Sequence, residues 1–218
     1  MTKSMVTLGI LAWLATPLRA QLIWVNEFHY DNAGSDVGEF FEIAAPSSIS
    51  DLSSVTLTLY RGSDGTSSAS HKLSTFNVGS SSDGYTFYSK SISGIQNGAP
   101  DGFALDQSGS VLQFLSYEGV FQATSGAASG LTSTDIGVAE SSATSVGTSI
   151  GLTGTGYSYA DFLWTSFADD TAGSLNSGQA FSAAPEPGES ALMAAVGLLG
   201  FALVRRWWMQ RHPEIVNP

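Results

Sequence analysis

The 218-residue chain contains no cysteine. Disulfides, thiolate metal sites and cysteine nucleophiles are excluded together. Positive charge is scarce too, with 8 Lys and Arg against 19 Asp and Glu and a formal net charge of −11 at pH 7. Affinity for nucleic acid comes mainly from Lys and Arg that release counterions, so this balance argues against a nucleic-acid partner. Between residues 21 and 184 no amphipathic 3.6-residue pattern is long enough for a core helix, which argues against crossover helices and a parallel sheet. There is no H-E-x-x-H, no P-loop with its Lys and no paired metal motif.

What remains is rich in Ser (34), Gly (24) and Thr (17), residues that suit turns and solvated strands, and 43% of the chain is apolar, ample for a core. Short strand-like runs punctuated by turn chemistry cover Leu22 to Phe28, Glu39 to Ala44, Val55 to Tyr60, Tyr85 to Ser89, Gly102 to Leu105, Val111 to Tyr117, Thr148 to Leu152 and Tyr159 to Trp164. Such spacing predicts an all-β sandwich over residues 21–184. Val55, Leu57 and Leu59 alternate with Thr56, Thr58 and Tyr60, so the first set faces a core and the second faces solvent. Asp64-Gly65, Asp83-Gly84, Asn97-Gly98 and Asp101-Gly102 supply residues able to take positive φ in tight connections. Ser63 to Ser70 and Gly79 to Gly84 read as exposed loops.

Both ends read as addresses. Lys3 precedes an apolar stretch from Met5 to Thr16, then Pro17, Leu18, Arg19 and Ala20, the layout of a signal peptide over 1–20 with cleavage after Ala20. At the other end Pro185-Glu186-Pro187 is followed by an apolar run from Ala191 to Val204, then Arg205, Arg206, Trp207 and Trp208. The run alone rises only ~21 Å as a helix. With the interfacial Trp residues it predicts a short transmembrane helix over 190–208, the Arg residues staying on the cytoplasmic side. This tripartite segment, 185–218, resembles the PEP-CTERM sorting signal of Gram-negative bacteria. The resemblance implies an exosortase-type membrane protease that reads Pro185, Glu186 and Pro187, with Arg205 and Arg206 matching the basic cluster, and delivery to a surface rich in exopolysaccharide.

A second resemblance covers most of the exported segment. Ile23-Trp24-Val25-Asn26-Glu27-Phe28-His29-Tyr30-Asp31-Asn32 and Gly38-Glu39-Phe40-Phe41-Glu42-Ile43 are similar to the opening of a bacterial lamin tail domain. Ile95 to Leu105, Val111 to Gly119 and Asp161 to Trp164 continue the likeness. It implies an immunoglobulin-like β-sandwich that often accompanies nucleases, phosphatases or adhesive modules, and it brings no general catalytic residues.

Three features stand out as candidate chemistry. Gly147-Thr148-Ser149-Ile150-Gly151 fits G-x-S-x-G, but no helix pattern follows it and the one later His, His212, lies beyond the apolar run. Glu27, Glu39 and Glu42 offer carboxylates for hydrolysis without a readable separation. The loop carrying Asp31, Asn32 and Asp36, with Glu39 just beyond, gathers the hard oxygen donors that a structural Ca²⁺ takes, without EF-hand spacing; an ordinary acidic loop with Asx-turn bonds is the other reading. Tyr60, Tyr85, Tyr88 and Trp164 offer ring faces to carbohydrate. The sequence therefore reads as a noncatalytic exported protein that needs no cofactor unless the loop takes Ca²⁺. It is expected to pass through an inner-membrane-anchored intermediate to the cell surface or matrix and to associate with exopolysaccharide. The alternative is an extracellular metal-dependent hydrolase of glycans or phosphoesters.

Overall fold

β-branched and aromatic residues at alternate positions build most of the strands, because their side chains pack well on a pleated surface. In a computed structural model that describes residues 22–182, twelve strands are seen. They are β1 Trp24–His29, β2 Phe40–Pro46, β3 Val55–Arg61, β4 Thr66–Lys72, β5 Asn77–Ser82, β6 Tyr85–Ser91, β7 Asp101–Gln107, β8 Ser110–Tyr117, β9 Thr134–Asp135, β10 Ser149–Gly156, β11 Leu163–Phe167 and β12 Gln179–Phe181. The signal peptide ending at Ala20, the Pro185-Glu186-Pro187 motif, the 190–208 span and Arg205 and Arg206 lie outside the described residues.

The strands form two sheets. One runs β11-β10-β1-β2-β6-β5, with β12 added parallel to β10; the other runs β4-β3-β7-β8-β9. The all-β sandwich expected from the strand spacing is what the chain builds. Val25, Phe28, Phe41 and Ile43 of the first sheet meet Val55, Leu57, Leu59, Phe103 and Leu105 of the second in one buried core. Phe28 stacks on Phe41 with ring centres 5.2 Å apart and meets Phe103 edge-on at 5.3 Å. Each such side chain contributes roughly 1.5–3 kcal/mol on leaving water.

The outer faces are not left to solvent. Side chains alternate across a strand, so Trp24, Ala44 and Phe87 point away from the core that holds Val25, Ile43 and Tyr88. There they gather Phe162 and Phe181 into a second cluster. On the far sheet Tyr60, Ala104 and Phe114 are covered by Phe121, Ala123 and Ala128. This corrects the expected solvated face of β3: Thr58 and Tyr60 are buried, because the segment after β8 folds back across them. Tyr60 Oη accepts a hydrogen bond from the Ala128 amide at 3.2 Å.

Two expected loops are strands. Ser63 to Ser70 enters β4 and Gly79 to Gly84 enters β5, both at sheet edges. The turns at Asp64-Gly65 and Asp83-Gly84 do close hairpins, with φ of 70° at Gly65 and of 48° and 85° at Asp83 and Gly84. Asp101-Gly102 is no turn. Both residues pair within β7, and a Cβ on Gly102 would sit 2.3 Å from the Leu115 carbonyl oxygen, so glycine there serves close backbone approach.

Candidate functional site

The loop between β1 and β2 carries the four residues expected to hold Ca²⁺, and it divides them. The Asn32 amide donates to Asp36 Oδ1 at 3.3 Å, and Asn32 Oδ1 accepts from the Val37 amide at 2.9 Å. Asn32 Nδ2 donates to the carbonyls of Ala33 and Ser35, both at 3.2 Å. Asn32 thus organises the loop from inside, through a bond to the amide five residues on rather than the expected Asx-turn bond two residues on. Glu39 turns away: its two oxygens accept the Gly94 and Ile95 amides, each at 2.8 Å. Asp36 Oδ2 accepts from Asn97 Nδ2 at 3.0 Å. The charges that act on Asp31 are those of Asp36, Glu118 and Glu140. Desolvation first, and then these neighbouring charges, raise its carboxyl above the ordinary value. Among the described residues no group of three or more His, Cys, Asp or Glu side chains is arranged to hold a metal ion.

His29, at the end of β1, links this loop to the segment before β10. Its Nδ1 lies 2.7 Å from Glu140 Oε1 and its Nε2 lies 3.2 Å from Asn32 Oδ1. Both partners are acceptors, because the amide of Asn32 is oriented by its own donations. This pair of acceptors favours the charged form of the ring, in which both nitrogens carry protons. Burial lowers the imidazole pKa, but the hydrogen bond and charge of Glu140 outweigh it and leave the group above its ordinary value. Glu140 Oε2 accepts the amides of Tyr30 and Asp31 at 2.7 and 3.1 Å, so this one carboxylate fixes the start of the loop. Sequence reasoning missed Glu140. Its one signal was isolation, since Asp135 and Glu140 are the only charged residues between Glu118 and Asp161.

A second polar cluster lies on the same outer face of the first sheet. A bulge at Asn26 interrupts the β1–β2 register, after which Glu27 stands opposite Glu42. Glu27 Oε1 accepts from Ser149 Oγ at 2.6 Å and from the Thr171 amide at 2.9 Å, and Oε2 accepts from Thr171 Oγ1 at 2.8 Å. Glu42 Oε2 accepts the Gly173 and Ser174 amides at 2.6 and 3.2 Å, and Oε1 accepts from Asn26 Nδ2 at 2.9 Å. Asn176 Nδ2 donates to the carbonyls of Asn26 and Leu152, and Gln179 Nε2 donates to Asn26 Oδ1 at 2.8 Å. The strap formed by residues 168–182 is held across the sheet by these bonds. Burial raises Glu27 above the usual carboxyl range and pushes Glu42 up to about 8, against the pull of the donors around it.

Ser149 opens β10 and is buried, rather than standing on a strand-to-helix turn. The β1–β10 register pairs Glu27 with Gly151 and Phe28 with Ile150. Carried one step further, it sets His29 opposite Ser149. Two clefts border these groups. One of about 360 Å³ is lined by Asp36, Val37, Gly38, Glu39, Ser91 and Ser93. The other, of about 250 Å³, has Glu140, Thr148, Ser149 and Phe167 in its lining. The ring faces expected to meet carbohydrate are largely withdrawn: Tyr60, Tyr85 and Tyr88 are buried and Trp164 is half-buried. Compared with family models, with curated proteins and with solved structures, the chain matches none of them.

Proposed function

We propose that the chain is a noncatalytic, exported β-sandwich of the immunoglobulin-like, lamin-tail type. A signal peptide and a PEP-CTERM tail deliver it to the surface or exopolysaccharide matrix of a Gram-negative bacterium, and an exosortase-type protease removes the tail. The observation that supports a noncatalytic role is the use made of the carboxylates a hydrolase would need. Glu27, Glu39, Glu42 and Glu140 each accept hydrogen bonds that pin a loop or the strap to the sheets. A carboxyl group engaged through both oxygens in this way serves as a structural staple. Loop-borne Ca²⁺ forms no part of the proposal.

The delivery half of the reading is tested in the producing cell. Glu186→Ala should leave a heavier, membrane-retained species while the sandwich folds as before. An unchanged mature mass, together with an unchanged division between membrane and medium, overturns it. The matrix half is tested by sedimenting the full-length chain with the cell's own exopolysaccharide beside an acidic control protein. Equal sedimentation of the two overturns it.

A hydrolytic reading has one observation in its favour: Ser149 stands across from His29, whose Nδ1 meets Glu140 as in a nucleophile–base–acid relay. The hydrogen bonds run the other way. Ser149 donates to Glu27, and His29 Nε2 lies 3.2 Å from Asn32 Oδ1, so each group is engaged elsewhere rather than with the other. Hydrolysis of p-nitrophenyl acetate or bis(p-nitrophenyl) phosphate, lost in Ser149→Ala, would establish this reading instead.

A further inference from the structure

The smaller cleft opens where the segment after β9 passes over the first residues of β10 and the end of β11. We propose that it is a subsite for one neutral sugar ring, an inference that rests on the matrix reading above and gives it a place on the molecule. The hydrogen-bonding inventory of the walls is mixed. Thr144 Oγ1 accepts the Ser141 amide at 2.8 Å and keeps its proton to donate. Thr148 Oγ1 donates to the Ser145 carbonyl at 2.9 Å and Ser149 Oγ donates to Glu27, so both keep lone pairs to accept. Ser166 is exposed at the rim. A polyol presents hydroxyls that donate and accept at once, and such a wall satisfies both functions without demanding charge.

The other two features of the cleft select the same chemistry. Phe167 is half-buried and lies across Gly151, where an added Cβ would come within 2.9 Å of the ring, so an apolar face is fixed beside the hydroxyls. Small-ligand sites pair an apolar surface with a few placed polar groups in this manner. The carboxylate in the wall, Glu140, is paired with His29 and holds two backbone amides, so it offers no free negative charge to draw a cation. The exported segment holds 3 Lys and Arg against 16 Asp and Glu, which opposes uronate or sulfated sugars. A volume of about 250 Å³ lies just below the usual range for drug-sized ligands, which suits one ring and not an extended segment.

The test is weak-affinity chromatography of the full-length chain on immobilised cellobiose, maltose and glucuronic acid, run beside sedimentation with the producing cell's matrix. Retardation on at least one neutral column and none on glucuronic acid is expected. Ser166→Trp and Ser145→Trp fill the cleft from opposite walls at exposed positions and should each reduce that retardation at least fivefold, with an unchanged melting temperature. Equal retardation of the wild type and both variants overturns the subsite, as does passage of the wild type through every neutral column. If the chain sediments with the matrix and the variants sediment equally well, the subsite falls and the matrix reading stands. If the neutral columns retard the chain and the matrix does not, the subsite stands and the matrix reading falls.

Discussion

Glu27 and Glu42 stand directly opposite each other across β1 and β2, both fully buried, and they hold neighbouring stretches of one strap. Glu27 takes Thr171 and Glu42 takes Gly173 and Ser174. Removing two ionised carboxylates from water carries a penalty, and facing each other on adjacent strands they would also repel, which is why Glu42 is pushed up to about 8. The arrangement persists because each oxygen finds donors, most of them on the strap itself. The strap is therefore part of the solvation of the two acids, and its removal would leave Glu27 with Ser149 and Glu42 with Asn26 as donors.

Stability should fall as pH rises from mild acid through 8. Glu42 has its folded pKa raised to about 8 from an ordinary 4.5, so between those values the folded chain holds a proton that the unfolded chain has lost. Raising the pH across that window removes the advantage. His29 acts in the same direction: its folded pKa is raised above 6.5, so its contribution is complete below that value and is lost as pH rises through the folded pKa. Denaturation midpoints measured from pH 5 to 9 should decline, and His29→Phe should flatten the part of the decline above pH 6.5. A midpoint that climbs with pH contradicts both assignments.

Phe181 anchors the end of the strap between Tyr85, at 4.4 Å and nearly parallel, and Phe162, at 5.6 Å and edge-on, with Trp24 at 6.0 Å. Phe181→Ala should lower the unfolding free energy by about 3 kcal/mol through lost burial and the cavity left behind. Trp24 emission should shift to the red, and limited proteolysis should cut first within residues 168–182. Cleavage that begins elsewhere in the sandwich would mean that the strap is held by other contacts.

Asp31→Asn should stabilise the chain at pH 7. Desolvation and the charges of Asp36, Glu118 and Glu140 disfavour its ionised form, and the substitution removes that charge. The gain should stay below about 1 kcal/mol, because Asp36 and Glu118 are only half-buried and their charges are screened. Melting curves at low and at 0.5 M salt check the cause, since the difference between variant and wild type should shrink in salt.

The strands that carry large apolar residues between turn signals were legible: β1, β2, β3, β6, β7 and β8 appear where those runs placed them, within a residue or two at their ends. β4 and β5 were not. Thr66–Lys72 and Asn77–Ser82 lie at sheet edges, are rich in Ser and bury almost nothing, so their strand character comes from a central neighbour and leaves no alternation to read. The acidic segment was legible as a loop, although Asn32 holds it through Val37 rather than through an Asx turn. The destination of Glu39 was hidden, since Gly94 and Ile95 reach it only once β6 lies beside β2. Likewise nothing near Glu140 in the chain announces His29, which stands more than a hundred residues earlier. Tyr60 looked solvated because the alternation of β3 describes its own two faces and carries no information about a later segment that covers the second.

Gly62→Ala should be among the most damaging small substitutions in the chain. A Cβ there would lie 1.9 Å from the Pro100 carbonyl oxygen and 3.0 Å from the Phe121 ring, so backbone itself must move. A loss of about 2–3 kcal/mol is expected by urea denaturation. Gly109→Ala meets no atom within 4 Å, although its φ of 82° adds strain, and it should cost clearly less. Equal losses would place the penalty in backbone conformation rather than in close approach.

Any tension carried by the chain beyond Ser182 enters the sandwich at β12, which is paired with β10 over three residues. Behind it in the line of force come the aromatic clamp on Phe181 and then the hydrogen bonds of Asn176, Ser174, Gly173 and Thr171. These contacts are made with the outer face of the first sheet, and none of them belongs to the core between the sheets. A pull that stripped the strap from its far end would therefore free Glu42 before Glu27, and it would do so without first touching the core between the sheets.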